Sequence, residues 1–112
     1  MVFVKLIKTL KKENIKLSFN FLVAEHSNFQ KTLSKTFSAE TQITYSKLIA
    51  IVFPQLAQNP YYGPNIKKLK NEKPPKWRYR WGNYRLFYSV NSDEKIVIVT
   101  AIHPRKDAYK SL

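Results

Sequence analysis

The chain of 112 residues lacks cysteine, and it has only seven acidic side chains against twenty lysines and arginines. Without cysteine there is no disulfide bridge and no thiolate metal site, as is typical of a cytoplasmic protein. The few carboxylates are scattered along the chain, so no acidic cluster predicts a magnesium site, and no cysteine–histidine constellation predicts zinc. We therefore expect no cofactor. No apolar run is long enough to span a membrane.

The formal net charge of +13 and the pI of about 10.0 attract polyanions. Nucleic acid is the first partner class to consider and an acidic protein the second, although a solvated basic surface is the plainer interpretation. The lysines are spread over the whole chain, whereas all four arginines lie in its C-terminal third: Arg78, Arg80, Arg85 and Arg105. A planar guanidinium suits phosphate better than a lysine ammonium does, so the arginines are more informative than the total charge.

Residues 1–16 are a basic extension in front of a single domain at 17–112. Apolar residues at helical spacing over 3–10, with lysines between them, suit an amphipathic helix, and a membrane-surface role is an alternative. Lysines interrupt the apolar stretch that a signal peptide needs.

The domain begins with a strand and two helices. Alternation predicts a strand over 17–24, and Ser27 with Gln30 resembles a capping box that starts a first helix. Ser38 can cap a second helix, whose apolar stripe ends near Pro54, where we expect a kink or an end. The residues predicted to face a sheet from the two helices are Phe29, Leu33, Phe37, Tyr45, Leu48, Ile49, Val52, Phe53 and Leu56.

After a turn-rich loop at 59–64 and a basic segment at 66–70, the pattern predicts three strands, over 76–81, 84–90 and 95–103. The order β-α-α-β-β-β indicates an α+β fold, a mainly antiparallel sheet with a helical hairpin packed on one face.

The hairpin KWRYRWGNYRLFY, residues 76–88, has two contrasting sides. Its core side would carry Trp77, Tyr79, Trp81, Tyr84, Leu86 and Tyr88, and its other side Arg78, Arg80, Arg85 and Phe87. If Gly82-Asn83 is the whole loop, Arg80 lies directly opposite Arg85. Two opposed cations destabilise a strand pair, so we expect a compensating anion, with phosphate the obvious candidate.

The run from Trp77 to Tyr88, with its G-x-Y-R-x-x-Y core, and the strand KIVIVTAIHPRKDAY resemble the RelE/ParE superfamily of bacterial toxins of type II toxin–antitoxin systems. The resemblance covers 17–112. It implies a small RelE-like fold and, for the RelE-like branch, a metal-independent mRNA interferase that inhibits translation, commonly at the ribosomal A site. The implied partners are mRNA and a cognate antitoxin, in a toxin–antitoxin hetero-oligomer.

The resemblance and the residue chemistry together define a candidate site. Its catalytic group comprises Arg80, Arg85, His103, Arg105 and Tyr109, and its RNA- or phosphate-binding group comprises Lys67, Lys68, Lys70, Lys76, Arg78 and Phe87. Histidine titrates near neutrality and is the natural acid–base residue. Strict alternation puts His103 on the core side, and a one-residue shift near the strand end would reverse that.

Two other functions remain open. The ParE-like branch of the superfamily poisons DNA gyrase, which is a protein-binding activity without hydrolysis by this chain. A third alternative is a member that binds RNA or its antitoxin without catalysis. The G-x-Y-R-x-x-Y core does not separate these branches.

Overall fold

The computed structural model of the protein describes residues 2–4 and 20–108, and it contains one six-stranded sheet in the order β1-β2-β6-β5-β4-β3. Only β2 and β6 pair in parallel; the other neighbours are antiparallel. The strands are β1 Val2–Val4, β2 Leu22–His26, β3 Ile66–Lys68, β4 Trp77–Trp81, β5 Tyr84–Asn91 and β6 Ile96–Pro104. The predicted α+β architecture is confirmed. Within the described residues, no helix is long and apolar enough to cross a membrane.

The first helix, α1, spans Ser27–Phe37 and is capped by a histidine. The backbone N–H of Asn28 donates to Nδ1 of His26 at 3.1 Å. The predicted capping box is wrong, because Ser27 is already helical and the Gln30 amide donates to Glu25 at 2.7 Å instead.

The second helical segment changes type along its length. It runs through a 3-10 turn at Ser38–Glu40, α2 at Thr41–Lys47, a π turn at Leu48–Val52 and α3 at Phe53–Gln58. The N–H of Phe53 donates to the Leu48 carbonyl five residues back, and Pro54, which has no N–H, follows directly in the first turn of α3. The proline therefore marks a change of helix type and not the end of the helical segment.

The core lies between these helices and one face of the sheet. The predicted helical stripe is confirmed, with Phe37, Tyr45 and Ile49 partly buried and the other six residues buried. On the sheet side Tyr79, Leu86 and Tyr88 are buried. Buried hydroxyls are satisfied: Tyr79 donates to the Gln55 side chain at 2.7 Å, and Tyr88 to the Pro60 carbonyl at 2.6 Å.

The structure differs from the predicted elements at three places. The basic segment after the loop contains the short edge strand β3, which alternation over three residues could not reveal. The first strand of the domain lies at 22–26 and not 17–24; residues 17–19 are outside the described part. At the other end of the sheet, Val2–Val4 pairs with β2 and is a strand, not the start of a helix. The division into an extension and a domain stays a prediction.

Helix α1 closes an edge of β6 that none of the described strands covers. The β2–β6 pairing extends only to Val99. Beyond it, Asn28 donates to the Thr100 carbonyl at 3.1 Å, the Ile102 N–H donates to the Thr32 hydroxyl at 3.0 Å, and Thr36 donates to the Ile102 carbonyl at 3.4 Å. Side chains four residues apart on one helix face thus replace a strand as hydrogen-bond partners.

Candidate functional site

Three adjacent strands bring basic side chains into one line on the sheet face away from the helices. Arg80 on β4 pairs with Arg85 on β5, and Arg85 pairs with His103 on β6. We call Arg80, Arg85 and His103 the basic row. Neighbouring strands are about 4.8 Å apart, so the row crosses roughly 10 Å of the sheet. The predicted opposition of the two arginines is therefore present.

The two arginines of the row are held differently. Arg85 is buried, with 8% of its surface exposed, and its Nη1 donates to the carbonyls of Gly82 at 3.1 Å and Tyr84 at 2.9 Å. Gly82 has a φ of 59°, which suits the first position of a tight hairpin turn. Arg80 is exposed. The carbonyl dipoles of the turn partly compensate the opposed charges, so an external anion is not the only source of relief.

His103 lies on the arginine side because β6 contains a bulge. Tyr88 pairs with Val99 while Phe87 pairs with Ala101, which leaves Thr100 as an extra residue. The alternation is therefore reversed after Thr100, and the core-side placement given by strict alternation is wrong. The His103 and Phe87 ring centroids are 6.2 Å apart.

The surroundings of His103 favour its neutral form. Burial lowers its pKa below the ordinary value; Asp107 opposes that shift, and the positive charge of Lys35 adds to it. A neutral imidazole can accept a proton at neutral pH, which is the property required of a general base.

A second row of cross-strand neighbours borders the basic row, and most of its side chains contact other parts of the protein. Lys67, Arg78, Phe87 and Ala101 pair successively across β3, β4, β5 and β6. Nη1 of Arg78 donates to the Asn65 carbonyl at 2.8 Å, and its buried Nε has no hydrogen-bond partner among the described residues. Phe87 is 2% exposed and packs in a small cluster with Ala101 and Ala108, so its ring offers no open stacking surface.

The remaining predicted site residues are dispersed. Lys76 lines a cavity with Phe87 and His103. Lys68 lies on the helix side of the sheet, with its ammonium 5.9 Å from the Trp77 ring centroid. The other three are placed as follows: Lys70 is exposed in a turn, Arg105 is exposed with its N–H donating to the Asn83 carbonyl at 2.7 Å, and Tyr109 lies outside the described residues.

Metal ligation finds no support in the part of the chain that the structure describes. There, no three side chains of histidine, aspartate or glutamate come together as ligands.

The sequence matches one family model over most of its length. The model is described as the ParE toxin of type II toxin–antitoxin system, parDE, and it matches residues 26–109. The chain belongs to this family of type II toxins. It is thereby a member of the RelE/ParE superfamily. No curated protein matches the sequence of the toxin.

Solved structures share the fold of the toxin at low sequence identity. The RelBE2 toxin–antitoxin complex of Mycobacterium tuberculosis aligns with a TM-score of 0.59 and 19% identity, covering 77% of this chain and 99% of that one. The RelB–RelE complex of Methanococcus jannaschii gives 0.54 and 24%, covering 79% and 96%. A mutant of the E. coli toxin RelE in the free state gives 0.51 and 22%, covering 83% and 90%. These similarities establish a RelE-like fold.

Sequence reasoning missed the contribution of α1 to the site of the toxin. Asn28 and Thr32 line the same cavity as Lys76 and His103, although they precede those residues by more than forty positions. A signal was present, because Asn28, Thr32 and Thr36 recur every four residues as a polar stripe on a helix whose apolar stripe faces the core.

Proposed function

We propose that the toxin is an mRNA interferase, a metal-independent endoribonuclease that acts on translated mRNA. The observation that carries this proposal is the basic row, in which two guanidinium groups and an imidazole lie side by side on the sheet face away from the helices. Cations aimed at one point stabilise the charge that develops on a phosphate under attack.

In the proposed reaction the RNA 2′-hydroxyl attacks the adjacent phosphorus. The new 2′-O–P bond forms as the P–O5′ bond breaks, giving a 2′,3′-cyclic phosphate and a 5′-hydroxyl end. His103 accepts the 2′-hydroxyl proton, while Arg80 and Arg85 hold the non-bridging oxygens of the phosphorane. The buried position of Arg85 and its two bonds to the turn fix the direction of its guanidinium before substrate arrives.

The other predicted residues complete this proposal. Arg105, exposed beyond the end of β6, would neutralise the leaving 5′-oxygen, and Tyr109 would stack on a base or supply the proton that this oxygen takes up. Lys67, Arg78 and Lys76 would hold neighbouring phosphates, since they border the basic row.

We also propose that a cognate antitoxin binds the same face and keeps the toxin inactive. The solved complexes with this fold contain RelB antitoxins. An acidic antitoxin segment across the basic row would replace the RNA phosphates with carboxylates and block the site.

A second candidate function is poisoning of DNA gyrase, and the family-model match to ParE toxins favours it. In that case the basic row would contact protein or DNA, and the toxin itself would break no phosphodiester bond.

Primer extension on an mRNA in a reconstituted translation reaction distinguishes the two candidates. We expect discrete cuts with wild-type toxin and a loss of about 10²–10³-fold with Arg80→Ala, the usual cost of removing one transition-state donor. Arg80 is exposed, so its loss leaves the fold intact. The matched control is Lys47→Ala, which removes one exposed cation from α2 on the far side of the sheet; it should cleave like wild type.

Intact mRNA with the wild-type toxin would contradict the interferase proposal. Gyrase-dependent DNA breaks from the same preparation would then establish the second candidate.

A further inference from the structure

A cavity beside the basic row combines apolar walls with hydrogen-bond acceptors. It has a volume of about 350 Å³ and lies between α1, β5, β6 and the segment after β6. This volume is at the lower end of the range of small-ligand pockets, about 300–1,000 Å³. Phe87, Ala101 and Ala108 supply its apolar surface, and His103, a member of the basic row, also lines it.

Two of the polar side chains that line the cavity, Asn28 and Thr100, offer acceptor oxygens. Nδ2 of Asn28 donates to the Thr100 carbonyl, which can only accept, so Oδ1 of Asn28 remains as an acceptor. The Thr100 hydroxyl donates its proton to the Phe87 carbonyl at 3.1 Å and keeps its oxygen lone pairs. Thr32 contributes little, because its hydroxyl donates to the Phe29 carbonyl and accepts from Ile102 N–H.

Two acceptors in one cavity favour a ligand that presents two N–H donors. Within RNA, an exocyclic amino group has this property, and cytosine, adenine and guanine carry one. Uracil has only its ring N–H, and its carbonyl oxygens would face the oxygens of Asn28 and Thr100. Lys76, which also lines the cavity, can hold a phosphate of the same nucleotide.

We propose that this cavity is a nucleobase subsite that selects amino-bearing bases through Asn28 and Thr100. This inference rests on the proposed ribonuclease function and adds its specificity. Because Arg85 and His103 are cross-strand neighbours, the base in the cavity belongs to a nucleotide next to the phosphate held by the basic row.

The first test maps cleavage sites on mRNAs with randomised codons. We expect wild-type toxin to disfavour uracil at one position next to the cut. Asn28→Ala and Thr100→Val should each reduce that preference by roughly two- to tenfold, the worth of one hydrogen bond. The control is Thr36→Val, because Thr36 bonds the same β6 edge but does not line the cavity; its preference should equal that of wild type.

Unchanged base preference in both Asn28→Ala and Thr100→Val would overturn the subsite. Thermal unfolding of the three variants identifies any loss of base preference that is caused by destabilisation of the fold. This control is needed because all three residues also form hydrogen bonds that support β6.

A second test does not depend on cleavage. Cytidine 3′-monophosphate and uridine 3′-monophosphate are titrated against wild-type toxin while the His103 ring signals are followed by NMR. We expect the cytidine nucleotide to bind more tightly by roughly two- to tenfold, and Asn28→Ala to abolish the difference. Equal binding of the two would overturn the subsite even if mRNA is cleaved. Selective binding without any cleavage would retain the subsite and contradict the proposed function.

Discussion

The two faces of the β4–β5 hairpin are built from alternate residues of the same strands, and they differ in how their polar atoms are satisfied. On the helix side, Tyr79 and Tyr88 donate to a helix side chain and to a loop carbonyl, so each bond ties the hairpin to another element. On the other side, the Arg85 side chain bonds carbonyls of its own turn among the described residues, and Arg80 is exposed. The helix side therefore stabilises the fold, while the arginine side carries positive charge that can bind a ligand.

The largest expected effect on stability comes from the helix side. Leu86 is fully buried between its aromatic neighbours, and Leu86→Ala should lower the free energy of unfolding by about 2–5 kcal/mol through lost burial and a residual cavity. Urea unfolding measures the change. A loss no larger than that caused by Arg80→Ala on the opposite face would contradict the assignment of the two faces.

Tyr88→Phe tests how much one hydrogen bond from the hairpin to another element contributes to stability. The substitution keeps the ring but leaves the buried Pro60 carbonyl without its donor, so we expect a loss of about 1–3 kcal/mol in unfolding free energy. Cleavage per folded molecule should be unchanged. A stability equal to that of wild type would show that another donor satisfies the carbonyl.

Arg85 is expected to contribute both to the stability of the fold and to the proposed cleavage. Arg85→Ala removes two bonds to the turn but also relieves the repulsion with Arg80, so the net loss of unfolding free energy should be about 1 kcal/mol. The proposed cleavage should fall by about 10²–10³-fold. In Arg80→Ala, stability should not decrease while cleavage falls by a similar factor. Equal stability losses in the two variants would contradict the inference that the Arg85 side chain stabilises the turn.

The smallest expected effect is the pH dependence contributed by His103. Its pKa is lowered in the folded state from 6.5, so the unfolded chain binds the proton more readily and the stability due to this group is lost as pH falls through 6.5. The charged neighbours are Arg85, Lys35 and Asp107. His103→Gln should flatten the stability curve between pH 7 and 5 relative to wild type, and an equally steep curve in this variant would contradict the prediction.

The regular elements were predictable because one periodicity dominates each of them. The strands at 77–81 and 84–91 alternate without interruption, and the stripes of α1 and of the second helical segment keep helical spacing. Strand β3 is too short for alternation to show, and the π turn before Pro54 is a local adjustment that depends on packing.

The site was predictable only where its geometry follows from that alternation. Arg80 and Arg85 pair as the two-residue turn requires. His103 depends on the bulge at Thr100, which forms from hydrogen bonds that β6 makes with β5 and α1. The hydrogen bonds that hold the Arg85 guanidinium depend on backbone carbonyls of the turn. The residue pattern does not reveal such bonds.

The contact of α1 with β6 has a consequence for amide hydrogen exchange. The Ile102 N–H lies on the edge of β6 that faces α1, beyond the pairing with β2, and the Thr32 hydroxyl accepts its hydrogen bond. Its protection from solvent therefore requires α1 to be docked, whereas amides bonded between β5 and β6 are protected by the sheet itself. The exchange rate of this single amide thus reports how often α1 separates from the sheet.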